Sequence, residues 1–339
     1  MRPVAADLRP PAYGDRSYVA VGAVLVALGL YLTQGHHLPV PGTFGEVDKP
    51  AGLVNFNEWV FLAAVVTTFW MVFGVAGRFA FSTASFVGLG AYVSHYATRG
   101  SEAPVLVGVL AAVGVALVLA LLFAVLLRKA HHFYFAVATL GLAEVLLLVF
   151  RRWDRLTGRS SGELTGVRDL SLFGWAVDSR FRSSLVLIAF LGVVLVLAVL
   201  IRRSPVERIA VAARDNQVVV ATLGHDADQL GIVLFTVGST LAAVAGALFV
   251  HTRGLGTPDT FGLELGIGIF VALILGGLRS MWGALVGSWF YVYVPLYLER
   301  WERWTQVLWG AALVVVVLTF PEGLVGLAAK VRGLAGRRR

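Results

Sequence analysis

Long apolar runs follow one another along this chain, separated by short stretches rich in charge, glycine and turn residues. A helix needs about 20 mainly apolar residues, with a range of about 17–25, to cross the hydrocarbon core of a bilayer. Runs of that kind cover 17–33, 57–77, 104–127, 184–201, 229–250 and 305–320. Four more, 79–97, 133–150, 263–278 and 281–298, are short, Gly-rich or polar in places. Together they predict an all-α polytopic membrane protein of about ten transmembrane helices. A re-entrant 79–97 or 263–278 would change that count.

Charge between the runs sets the expected orientation. Arg2, Arg9 and Arg16 precede the first run, and Lys330, Arg332 and Arg337 to Arg339 follow the last. Cytoplasmic segments carry the excess of Lys and Arg, so an even helix count puts both termini inside. Arg78, Arg128 with Lys129, the 202–228 loop and Arg279 then fall inside, and the 34–56 loop with Glu46 and Asp48 falls outside. One loop disagrees. Residues 151–183 belong outside yet hold Arg151, Arg152, Arg155, Arg159, Arg168, Arg180 and Arg182. Either this loop is a folded external element or one weak segment is re-entrant. The expected organisation is a basic tail over 1–16, a membrane domain over 17–326 with its cytoplasmic loop at 202–228, and a basic tail over 327–339. Arg16 before an apolar run resembles a signal peptide, but no small-residue cleavage site follows, so the first helix is read as uncleaved.

Composition excludes other classes. Hydrophobic residues make up 58% of the 339 positions and charged residues 14%, against about 25% charged in a soluble domain. The net charge of +8 fits basic cytoplasmic loops better than nucleic-acid binding. With no cysteine, disulfides and thiolate metal sites are excluded. No phosphate-binding loop, HExxH or local Ser/His/Asp arrangement occurs, so no catalytic residue, cofactor or metal is expected. The pair His131-His132 reads as an interfacial turn, and Trp301, Trp304, Trp309, Tyr291, Tyr293 and Tyr297 read as an aromatic belt.

Three features inside and between the runs carry candidate function. Gly88 and Gly90, with Ala84 and Ala91, make a small-residue surface, as do the glycines between 262 and 287. Such residues permit close helix packing or broken helices lining a path. Glu144 stands within an apolar run, where a carboxylate is costly and marks either function or a structural hydrogen bond. Glu264 lies at a helix start, where a negative charge complements the dipole. Finally, Ser204 with Pro205 and Glu207 has capping-box spacing, and Gly224 can end the helical region. Residues 204–224 therefore read as a short amphipathic helix on the cytoplasmic face, either a plain connection or a docking element for a partner.

The segment from Arg202 to Gly224 resembles the cytoplasmic loop of the branched-chain amino-acid ABC importer permeases, the LivM-type half in particular. Arg203-Ser204, Arg208, Arg214-Asp215-Asn216 and Leu223-Gly224 match that family in order and spacing. The stretch from Gly77 to Tyr92, the Tyr134-to-Leu140 run with Glu144, and Leu275 to Gly287 are similar to three further family motifs. Departures include Ser82-Thr83 in place of a Gly-His pair and Arg78 in place of Gln, which leaves urea, short amides or another small solute open as cargo.

The resemblance implies a bacterial inner-membrane permease subunit forming half of a translocation pathway. Its implied partners are a homologous second permease, two cytoplasmic ATP-binding subunits, an extracytoplasmic substrate-binding protein and membrane lipid. It implies an ATPase-coupling role for Ser204, Arg208, Arg214, Asp215 and Gly224. It also implies that Ser82, Thr83, Gly88, Gly90 and Glu144 line or support the pathway. An ion-coupled secondary transporter is the alternative, with Glu144 as its one coupling-ion candidate; a channel or a membrane enzyme lacks the polar clusters it needs.

Overall fold

The structure is a computed structural model describing residues 49–99, 104–130, 132–152, 162–168, 171–172, 175–176, 180–319 and 323–326. The predicted first helix at 17–33 and both basic tails lie outside the described residues, as does His131. The other nine predicted runs are helical. They are α1 (Lys49–Phe69), α2 (Thr83–Thr98), α3 (Val105–Leu126), α4 (His132–Arg152), α5 (Arg180–Arg203), α8 (Ala227–Arg253), α9 (Leu263–Gly276), α10 (Met281–Leu298) and α11 (Thr305–Thr319). Two short helices, α6 (Pro205–Asp215) and α7 (Gln217–Thr222), fill the loop between α5 and α8.

Length separates these helices. Among the described residues seven are long and apolar enough to cross a membrane. At about 1.5 Å per residue, the 16 residues of α2 and the 15 of α11 fall short of the hydrocarbon thickness of about 30 Å. α9 has 14 residues and reaches spanning length only with the 3₁₀ turn Asp259–Phe261 before it. The helix of α1 continues into a π-helical turn, Trp70–Val75, which carries the chain to a tight bend at Gly77.

Small residues decide how the helices cross. α8 packs against α2 and α3, and a Cβ on Gly90 would lie 1.8 Å from the Ala243 carbonyl oxygen. The reciprocal contact is as tight, with a Cβ on Gly246 1.8 Å from the Val87 carbonyl oxygen. On α3 the buried positions are Val105 and then Gly108, Ala112, Ala116, Ala120 and Ala124, the last five one ridge at four-residue spacing. Its opposite face exposes Leu110, Leu117, Val118, Leu121, Val125 and Leu126, a purely apolar surface suited to lipid. α1 packs on α5 and α10, and α9 on α10.

The disputed 151–183 loop is a folded element in its described part. Ser171–Leu172 (β1) and Trp175–Ala176 (β2) pair as a minimal antiparallel hairpin, a small departure from an all-α reading. Leu164 bridges to Gly256, and the Tyr92 hydroxyl donates to the Gly162 carbonyl at 2.7 Å. These bonds pin the loop to α2 and to the segment just after α8.

Candidate coupling and pathway sites

The residues from Ser204 to Gly224 form two helices rather than the single one expected. Asn216 is the reason: its extended backbone ends α6, and its Oδ1 accepts from the Val219 N–H at 3.2 Å to start α7. Ser204 sits at the N-cap of α6, but the capping box does not form. Its hydroxyl donates backward to the Ile201 carbonyl at 2.6 Å instead. Gly224, with φ +81°, follows the end of α7.

The two faces of this element differ. Ala210 and Val220 are buried. Arg214 turns inward and donates from Nη1 to the Gly74 carbonyl at 2.7 Å. That carbonyl belongs to the π-helical turn, a geometry that leaves the regular helical hydrogen-bond ladder and is frequent at functional sites. Gly77, at φ +68°, lets the Arg214 stem pass, because a Cβ there would meet Arg214 Cγ at 2.4 Å. On the outer face Arg208 and Asp215 are exposed, together with Val218, Val219 and Leu223.

A charged cluster beneath α6 joins the start of α7 to Arg78 and the start of α8, and the start of α8 to the end of α3. Arg78, 9% exposed, pairs with Asp228 at 3.2 Å, and Gln217 donates to the same carboxylate oxygen at 3.1 Å. Arg128 pairs with Asp226 at 2.5 Å, whose other oxygen caps the start of α8 by accepting from the Asp228 and Gln229 N–H groups. Burial lowers the Arg78 pKa and Asp228 pushes it back up. Burial also raises the Glu207 pKa, with Arg202 opposing. The cluster closes around a cavity of about 170 Å³. The opposite end of the molecule has its own pairs, Arg151–Asp259 at 2.5 Å and Arg253–Glu58, and His251 bridges Ser94 and the Arg168 carbonyl, each at 2.8 Å.

The five pathway candidates do not meet at one place. Ser82 and Thr83 are buried at the start of α2. Thr83 bonds the Ala80 carbonyl, and the Ser82 hydroxyl has no hydrogen-bond partner among the described residues. Gly88 faces Phe150 and Phe261, and Gly90 faces the α8 backbone, so both glycines serve helix contact. Glu144 is exposed on the outer face of α4, in line with Val137, Gly141 and Leu148. Arg78, Asp226 and Asp228 escaped the sequence reading as one cluster because their pairing spans 150 and 98 positions. No group of three side chains suited to a metal occurs among the described residues.

The family model for the branched-chain amino acid transport system / permease component matches residues 53–317. The chain belongs to that family. It is 24% identical over 282 residues to the high-affinity branched-chain amino acid transport system permease protein LivM of Escherichia coli K12, covering 75% of this chain and 65% of that protein. LivH of Salmonella typhimurium is 30% identical over 179 residues, 48% of this chain and 57% of that one. The autoinducer 2 import system permease protein LsrC of Escherichia coli O9:H4 is 27% identical over 191 residues, 53% and 52% of the two chains. The chain therefore spans about two thirds or less of the curated relatives it matches. No solved structure matches. Family membership and the seven membrane-capable helices make it a multi-pass membrane protein.

Proposed function

We propose that this permease-family chain is one half of the translocation pathway of an ATP-driven importer for branched-chain amino acids or a related small polar solute. The α6–α7 element docks a cytoplasmic ATP-hydrolysing subunit. The observation that carries the reading is the two-faced character of that element. Its inner face is fixed to the end of α1 through Arg214 and Gly74, while Val218 at 73%, Leu223 at 71% and the charged Arg208 and Asp215 are left exposed. Exposed apolar side chains rimmed by charge mark a protein contact surface. A partner that pushes or releases α6 therefore acts directly on a membrane helix.

The wider proposal follows from the relatives. A homologous second permease supplies the other half of the pathway, and an external binding protein delivers the solute. Both termini and the Arg78 end lie in the cytoplasm, and the membrane is the bacterial inner membrane. The autoinducer permease among the relatives supports a cargo range wider than branched-chain amino acids. Glu144 supports a pathway or subunit-contact role for the outer face of α4, since a carboxylate facing lipid is costly and α3 presents lipid with apolar residues alone.

The deciding experiment is uptake in proteoliposomes carrying this chain with and without candidate ATP-binding, second-permease and binding-protein subunits. Uptake of leucine, isoleucine or valine that requires all subunits and ATP is the expected result. Uptake by this chain alone, driven by an ion gradient, overturns it in favour of a secondary transporter.

A further inference from the structure

The cavity beneath α6 has more hydrogen-bond donors than acceptors. It is lined by Arg78, Arg128, Lys129 and Arg214 with Gln217, and Asp228 is the one carboxylate among its lining residues. One oxygen of Asp228 and both oxygens of Asp226 are already engaged. The same Asp228 oxygen takes both Arg78 Nη2 and Gln217, and Asp226 takes Arg128 and the start of α8. Arg78 Nη1 is buried and has no hydrogen-bond partner among the described residues. A buried guanidinium donor without an acceptor carries the full cost of its desolvation. Gly231 holds it there: a Cβ at that position would lie 2.4 Å from Arg78 Nε, so the site is built around this side chain.

The cavity also sits at the right depth for a membrane-surface ligand. Arg128 and Lys129 follow the apolar helix α3 directly, and the exposed rings of Phe133 and Tyr134 begin α4 just beyond them. Aromatic rings and cations at a helix end mark the headgroup layer, and basic pockets between helix ends hold anionic headgroups. A tetrahedral oxyanion accepts from several guanidinium and ammonium donors at once.

We propose that this cavity binds a phosphate group, as free phosphate or as the headgroup of an anionic phospholipid. The bound group accepts from Arg78 Nη1 and Lys129 and joins the α3–α4 turn to the underside of α6. The inference rests on the membrane location alone and does not depend on the cargo or on the docking role of α6.

The test uses the full chain purified in an uncharged sugar detergent. Thermal unfolding is followed against inorganic phosphate, with chloride at matched ionic strength as control. A parallel series uses short-chain phosphatidylglycerol, with short-chain diacylglycerol as control. Stabilisation by both phosphate and phosphatidylglycerol supports a site for the phosphate group itself, and stabilisation by phosphatidylglycerol alone supports the headgroup. Ala213→Glu places a carboxylate on the cavity wall and is expected to remove the response. Lys129→Gln, at the exposed mouth, is expected to weaken apparent affinity about fivefold, the worth of one cation near a phosphate surface. No response to either ligand, or a Lys129→Gln protein that responds as the parent does, overturns the proposal. The second variant decides even where Ala213→Glu fails to fold.

Discussion

Arg214 of α6 donates from Nη1 to the carbonyl of Gly74 at 2.7 Å, across 140 residues of sequence. A side chain on a surface helix thereby holds a backbone group in the π-helical turn that ends α1. Its stem runs over Gly77, where no other residue would leave it room. The cytoplasm-facing candidate helix α6 and the end of the apolar helix α1 are joined directly at this contact.

Arg214→Met keeps the apolar stem over Gly77 and removes the donor. Hydrogen bonds to charged groups contribute about 1.5–3 kcal/mol, so α6 is expected to loosen from α1 while its outer face is unchanged. The ATP-binding subunit should still co-purify, and solute moved per ATP hydrolysed should fall. Loss of assembly in this variant would place Arg214 in the docking surface itself.

Val218→Asp and Leu223→Asp alter only exposed positions. Fully burying a side chain of this size contributes about 1.5–3 kcal/mol, so each change is expected to weaken ATPase-subunit association by at least about tenfold. Unfolding temperature should stay unchanged. Arg208→Glu is expected to act in the same direction, and pull-down titration against the subunit reads all three. Unchanged association in all of them sinks the docking assignment.

Gly90→Ala forces a methyl group toward the Ala243 carbonyl, 1.8 Å from where its Cβ would sit. Overpacking of this kind costs about 1–3 kcal/mol. Gly114→Ala, at a position with nothing within 4 Å, is the matched control and should be neutral. Unfolding midpoints in detergent compare the two. Equal behaviour would mean α2 and α8 are not pressed together as described.

Glu207 has a pKa raised by burial above its ordinary 4.5. The folded state therefore favours the protonated acid, and this contribution to stability is full below the ordinary carboxylate pKa. It is lost as pH rises through the raised value. Wild type is expected to lose stability over that window relative to Glu207→Gln, which stays neutral throughout. Parallel pH profiles for the two proteins would remove the burial effect as the cause.

How much of this was legible along the chain depends on the range of the contact. The run at 281–298 became a helix with those same bounds, because apolar length is a local property. The break at Asn216 was missed, since a capping side chain competes with helix continuation only once the backbone turns. Ser204 has the spacing of a capping box, yet its hydroxyl turns back to Ile201. The basic 151–183 loop gave no sign in sequence of the bonds from Tyr92 and Gly256 that hold its described part to neighbouring elements, because both partners lie far away along the chain.

Sequence alone determined that this is a helical membrane protein, where its apolar helices run, and which family it resembles, because each depends on composition and neighbours a few positions apart. The tertiary structure decided that Arg214 faces inward and Val218 outward. It also joined Arg78 to Asp228 across 150 positions and left one buried guanidinium nitrogen of Arg78 without an acceptor among the described residues. Those outcomes depend on which helix ends meet, and a one-dimensional pattern carries no distance between them.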